Sequence, residues 1–195
     1  MMNVIFGGAF NPPTIAHHEI AKHMCSLAFV SKIIFIPVGD HYKKPDLIPA
    51  HHRYEMLKII SKYLPKATVS DLEIGAKRVL KTIETLEILQ KKQPHEEFAF
   101  LMGADNLSKL TKWHNYRSLI KNFKMLILDR GELDVNSIID EHFGFAKDNF
   151  IVINSFEKMN ISSTTYRNNS SKSEILLPEV EAYIKKHGLY RREND

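Results

Sequence analysis

Six short apolar runs divide this chain, and most are followed by a stretch of helical patterning. The runs are NVIF (3–6), KIIFIPV (32–38), TVSDL (68–72), FAFLM (98–102), KMLILD (124–129) and FIVI (150–153). Most are continuously apolar rather than alternating, which is the pattern of a strand covered on both faces. Candidate helices occupy 16–28, 50–63, 79–92, 115–122 and 135–142. In RYEMLKIISKYL (53–64), Tyr54, Leu57, Ile60 and Leu64 recur along one stripe, with Glu55, Lys58 and Lys62 on the other side. That spacing fits a 3.6-residue period. A last helix is expected at 178–187, opened by Pro178 and closed by Gly188 at its C′ position. Strand–helix alternation of this kind predicts an α/β fold built on a parallel sheet with right-handed crossovers. A length of 195 residues fits a single domain over 1–195.

Composition narrows the function classes. Hydrophobic residues make up 44% of the chain and charged residues 26%, with signs mixed along its length, which fits a globular core and not a disordered chain. The formal charge of +4 attracts anions in general. The basic residues are scattered and form no stripe with interleaved aromatics, so no nucleic-acid partner is expected. Cys25 is the only cysteine, so no intrachain disulfide can form and a reducing compartment is the simpler setting. No signal-peptide pattern and no apolar stretch of membrane-spanning length is read, so no membrane partner is expected. The expected location is cytoplasmic, or nuclear in a eukaryote.

In a parallel α/β sheet, ligands collect at the carboxyl ends of the strands. The first such segment reads GGAFNPPTIAHH (7–18). It matches neither the dinucleotide pattern G-x-G-x-x-G nor the P-loop. It still offers backbone N–H groups at Gly8, Ala9 and Phe10 where a phosphate needs close approach. Thr14 and His17, three residues apart, share a face of the first helical turn, where a hydroxyl and an imidazole can grip phosphate oxygens. A plain alternative stays open: Thr14 as the N-cap and His17 on the surface. The second segment is ISSTTYR (161–167). After Ile161, the hydroxyls of Ser162, Ser163 and Thr164 read as the cap of another helix, with Arg167 one turn on. Capping alone explains them, but two anion-binding helix starts at one sheet edge also suit a polyphosphate.

Together, GGAFNPPTIAH and ISSTTYR resemble the nucleotidyltransferase superfamily, whose marks are [H/T]-x-x-H and I-S-S-T-x-x-R. PVGDHYKKPDLIPAHHRYEML (37–57), MGADNL (102–107), Trp113 and YIKKHGLY (183–190) are more closely similar to nicotinamide/nicotinate mononucleotide adenylyltransferases. The likeness runs from about residue 3 to 190 and mixes bacterial-type and eukaryotic-type features. The bacterial H-x-G-H has Thr14 and Ala16 in its first and third places, and the bacterial S-Y-T has Leu80 and Lys81 before Thr82.

The resemblance implies a Rossmann-like, doubly wound parallel sheet with a C-terminal helical segment. It implies adenylyl transfer from ATP to nicotinamide or nicotinate mononucleotide, forming NAD or deamido-NAD. A nucleotide-binding or sensor protein without turnover is the alternative. The implied catalytic residues are His17, Thr14 and Arg167. ATP would meet Gly8, Ala9, Phe10, His17, Gly103, Asp105, Ile161, Ser162, Ser163, Thr164 and Arg167. The mononucleotide would meet Lys44, Thr85, Trp113, Asp105 and Arg130. Mg²⁺ would arrive with ATP, since no compact carboxylate set for a protein-held metal is apparent. The residues do not choose between a monomer and a homo-oligomer, nor between the two pyridine nucleotides.

Overall fold

The computed structural model describes residues 1–190 apart from 130, 132, 155, 157, 158, 160 and 169–172. Its strands are β1 (Met2–Gly8), β2 (Val30–Pro37), β3 (Ala67–Val69), β4 (Phe98–Gly103), β5 (Lys124–Leu128) and β6 (Phe150–Ile153). The helices are α1 (Ile15–Ser26), α2 (Ala50–Ser61), α3 (Thr82–Lys92), α4 (Ala104–Leu107), α5 (Tyr116–Asn122), α6 (Val135–Phe143), α7 (Ser163–Asn168) and α8 (Pro178–His187). The strands form one sheet in the order β3-β2-β1-β4-β5-β6, and every pairing is parallel. The order reverses between β1 and β4, which makes the doubly wound arrangement whose switch point opens a crevice at the strand ends.

Alternation along the strands explains the continuously apolar runs. Val4, Ile33, Phe35 and Leu101 face a core shared with Ile20 and Met24 of α1, Leu57 of α2 and Ile184 of α8. Ile5, Ile34, Phe100 and Ile127 face the opposite core, with Leu86 of α3, Ile120 of α5 and Ile139 of α6. Neighbouring residues point to opposite faces, so a strand buried on both must be apolar throughout. The C-terminal helix belongs to the first core and is bounded as the sequence indicates, with Pro178 in its first turn and Gly188 left-handed (φ 62°) at its end. No helix among the described residues is long and apolar enough to cross a membrane.

Two boundaries differ from expectation by three residues, the others by two or fewer. The third strand stops at Val69, because the Ser70 N–H closes the ladder onto the Phe35 carbonyl before the chain turns away. The third helix starts at Thr82 rather than 79. Glu84 fixes this later start by accepting the Lys81 N–H at 2.7 Å and N–H groups of Arg78 Nη1 and Nη2 at 2.9 and 2.7 Å. Those contacts hold the Glu84 carboxyl down to a pKa of about 2. Residues 79–81 are thereby left outside the helix, where they line the crevice.

Candidate active site

A cavity of about 900 Å³ opens at the carboxyl ends of β1 and β4. Gly8 and His17 line one side, Gly103 and Asp105 the strand end, and Thr85 and Trp113 the far side. Its size is that of a pocket for one or two small molecules.

The first turn is built to present an imidazole. Thr14, 0% exposed, is the N-cap of α1. Its backbone N–H donates to His17 Nδ1 at 2.9 Å, and its hydroxyl lies 2.8 Å from the same nitrogen. A neutral ring that accepts at Nδ1 carries its proton on Nε2, so the ring is set as a donor there. The rings of Phe6 and Phe10 pack on the imidazole at 5.9 and 5.1 Å, fixing its plane. Thr14 therefore holds His17 rather than sharing the cavity wall with it. Phe10 is likewise buried, in a left-handed conformation (φ 48°), and offers the cavity no side chain.

The structure brings the second segment against the first turn. Ser163 Oγ donates to the Pro12 carbonyl at 2.7 Å, and Arg167 Nη1 donates to the Asn11 carbonyl at 2.7 Å. Ser162 Oγ accepts the Thr165 N–H at 3.0 Å and so caps α7. Thr164 is exposed, with its hydroxyl 3.4 Å from Arg167 Nη2, and Ile161 is half-buried against the first core. The Ala9 carbonyl accepts from Arg53 Nη1 at 3.0 Å. Lys44 is exposed in the segment after β2 and is not among the residues lining the cavity. Arg130 lies outside the described residues.

On the far side, the Thr85 hydroxyl donates to Glu73 Oε1 at 2.8 Å, and both residues line the cavity. Trp113 is half-buried, its ring set edge-on to Phe100 at 5.8 Å. Gly39 is required nearby, because a Cβ there would collide with the Glu73 carbonyl. Burial raises the Glu73 pKa above its ordinary 4.5, and the Thr85 hydrogen bond only partly offsets this. An acid with a raised folded-state pKa costs no stability below its unfolded value. The penalty grows as pH rises through that value and is complete above the folded one. Glu73→Gln, which keeps the acceptor and loses the charge, is therefore expected to raise Tm relative to the parent at pH 8 and to leave it unchanged near pH 4. Thermal unfolding at the two pH values measures the difference, and an equal shift at both would assign it to packing.

The roles of several wall and support residues are not legible in the sequence. His114 lines the cavity beside Trp113, although its place in the chain reads as surface. Glu73, Arg53 and Asn11 contribute through tertiary contacts that no local spacing announces. No group of three His, Cys, Asp or Glu side chains suited to a metal occurs among the described residues.

The cytidylyltransferase-like family model matches residues 5–169, which hold both helix starts and the whole cavity. The chain belongs to this family. It is 33% identical to a probable nicotinate-nucleotide adenylyltransferase of Caldicellulosiruptor bescii, over 98% of this chain and 100% of that one. It is 31% identical to another of that name from Acholeplasma laidlawii, over 97% of each. Among solved structures, the Plasmodium falciparum nicotinic acid mononucleotide adenylyltransferase complexed with NaAD superposes with a TM-score of 0.80. That match covers 97% of this chain and 98% of that one at 24% identity, and shows the common fold.

Proposed function

We propose that this chain transfers the adenylyl group of ATP to nicotinate mononucleotide, forming deamido-NAD and pyrophosphate. The observation that carries the reading is the pairing, in one cavity at the switch point, of a phosphate-type turn bearing His17 with a far wall bearing Thr85 and Trp113. A cavity with those two ends suits a nucleotide triphosphate and a second, flat-ringed nucleotide side by side. The full-length relatives named for the nicotinate substrate favour it over nicotinamide.

The mononucleotide 5′-phosphate oxygen attacks the α-phosphorus of ATP in line. The bond from that phosphorus to the α,β-bridging oxygen breaks, and pyrophosphate leaves with the electron pair. The nucleophile is already anionic at neutral pH, so the protein supplies alignment and charge stabilisation and needs no general base. His17 Nε2–H donates to the α-phosphate region, beside the backbone of Gly8, Ala9 and Phe10, with Thr14 keeping the ring in place. Ile161, Ser162, Ser163, Thr164 and Arg167 flank the β- and γ-phosphates. Gly103 and Asp105 meet the adenosine or ribose, Lys44 meets the mononucleotide phosphate, and Trp113 stacks on the pyridine ring near Thr85. Arg130 is the remaining candidate for the phosphates. Mg²⁺ would enter as part of the MgATP substrate and would supply positive charge to its phosphates. The cytoplasm is the proposed location, as for an enzyme using these soluble metabolites.

The test is pyrophosphate release from MgATP, run in parallel with nicotinate and nicotinamide mononucleotides. A kcat/KM about tenfold or more higher with nicotinate mononucleotide is expected, since a charge difference at the pyridine is worth at least that factor. Comparable values would make the enzyme dual in substrate. Retained ATP binding without release from either would leave a nucleotide-binding protein.

A further inference from the structure

The turn from Gly8 to Thr14 is gripped from behind by groups far away in the chain. Asn11, 1% exposed, lies at its centre. Its Nδ2 donates to the Asp46 carbonyl at 2.7 Å, and its Oδ1 accepts the Ile48 N–H at 3.3 Å and the Tyr190 hydroxyl at 2.8 Å. The carbonyls of Ala9, Asn11 and Pro12 are taken by Arg53, Arg167 and Ser163. The turn has no strand or helix ladder of its own at 9–13, so its shape depends on these side chains. Tyr190 stands 179 residues beyond Asn11, delivered by the left-handed Gly188 that ends α8. Its ring packs edge-on against Tyr166 of α7 at 5.9 Å, so it touches both segments that form the phosphate side of the site. Burial pushes its phenol well above the ordinary range, so the hydroxyl stays a donor across working pH.

From these contacts we propose that Tyr190 is a positioning residue for adenylyl transfer: through Asn11 it fixes the turn that carries Thr14, and through Thr14 the ring of His17. The inference rests on the reaction assigned above and extends the working site to the C-terminal segment. The chain of contacts is continuous: Tyr190 hydroxyl to Asn11 Oδ1, Asn11 through Pro12 and Pro13 to Thr14, and the Thr14 N–H to His17 Nδ1. A transferring phosphate tolerates little misalignment, and a displacement of about 1 Å costs up to about 100-fold in rate.

Tyr190→Phe removes the hydroxyl and keeps the ring on Tyr166. It is expected to lower kcat about tenfold, with the KM for ATP within about threefold of the parent. The decisive readout is a double-mutant cycle with His17→Ala. If Tyr190 acts by placing the imidazole, adding Tyr190→Phe to His17→Ala leaves kcat within about twofold, because the group it placed is gone. A tenfold drop in both backgrounds would overturn the proposal, since Tyr190 would then act on something other than His17. An unchanged kcat in Tyr190→Phe would also overturn it, and a lowered Tm beside it would mark Tyr190 as a stabilising residue only. A parent protein with no transfer activity would remove the reaction reading itself. An active parent with an equally active Tyr190→Phe removes this inference alone.

Discussion

His17→Ala is expected to lower kcat for adenylyl transfer by about 100-fold or more, with a much smaller change in the KM for ATP. The imidazole is fixed before any substrate arrives: Nδ1 is occupied by the Thr14 N–H at 2.9 Å, and two phenylalanine rings hold the plane. A donor held in this way needs no reorganisation when charge moves onto the α-phosphate and the leaving pyrophosphate. Removing one such donor from a preorganised site costs roughly 100- to 1000-fold in other enzymes. The effect should fall on kcat, because the interaction strengthens as charge develops and is weaker in the ground state. Steady-state kinetics with both substrates varied separates the two constants. A loss confined to the KM for ATP would make His17 a binding contact and not a stabiliser of the transition state. Thr14→Val is a milder companion: it removes the hydroxyl but keeps the N–H on Nδ1, so only part of the loss is expected.

The largest stability effect is expected at Arg53. Its side chain is 0% exposed and its donors reach three backbone carbonyls: Ile48 at 2.9 Å, Ala9 at 3.0 Å and Val38 at 2.7 Å. Asp40 Oδ1 stands 3.9 Å away and also takes the Ala50 N–H at 2.6 Å, which caps α2. Burial lowers the Arg53 pKa from its ordinary value, opposed by Asp40. The guanidinium suits this place because its planar fork serves three separated acceptors at once, which an ammonium does not. Arg53→Met fills a similar volume and strands the carbonyls. Each buried acceptor left unpaired costs about 1–3 kcal/mol, so a total of about 3 kcal/mol or more is expected. For a chain of this size that is a fall in Tm of roughly 10 °C. Arg53→Lys should recover little of it. A Tm within about 2 °C of the parent for Arg53→Met would mean that water or a small backbone shift satisfies the three carbonyls.

The order of elements was legible because most strands are apolar on both faces and alternate with segments of helical patterning. Those patterns are local, and the structure retains all six strands and the six helices they mark. The start of α3 is set by the pairing of Arg78 with Glu84 across the turn, a choice made by side-chain contacts and invisible to periodicity. Strand order was also beyond the sequence, since many permutations bury the same residues. In the site, His17 was legible from its spacing to Thr14, but the direction of the hydroxyl was not. Thr14 faces His17 because the N-cap geometry folds it inward and buries it. Asn11, Arg53 and Tyr190 stand inside the segments that carry the family likeness, yet their roles, like that of Glu73, were not legible, for a common reason. Each acts through a hydrogen bond to a residue at least 12 positions away, so local spacing does not show what it holds.

The most direct test of the account follows the α-phosphorus. With ATP labelled at the α-phosphate, Mg²⁺ and nicotinate mononucleotide, the label should appear in a dinucleotide, formed one for one with unlabelled pyrophosphate. That outcome requires attack by the mononucleotide phosphate on the α-phosphorus. Label recovered as AMP, or pyrophosphate released without a dinucleotide, would contradict it and assign the phosphate turn and His17 to hydrolysis or to a different acceptor.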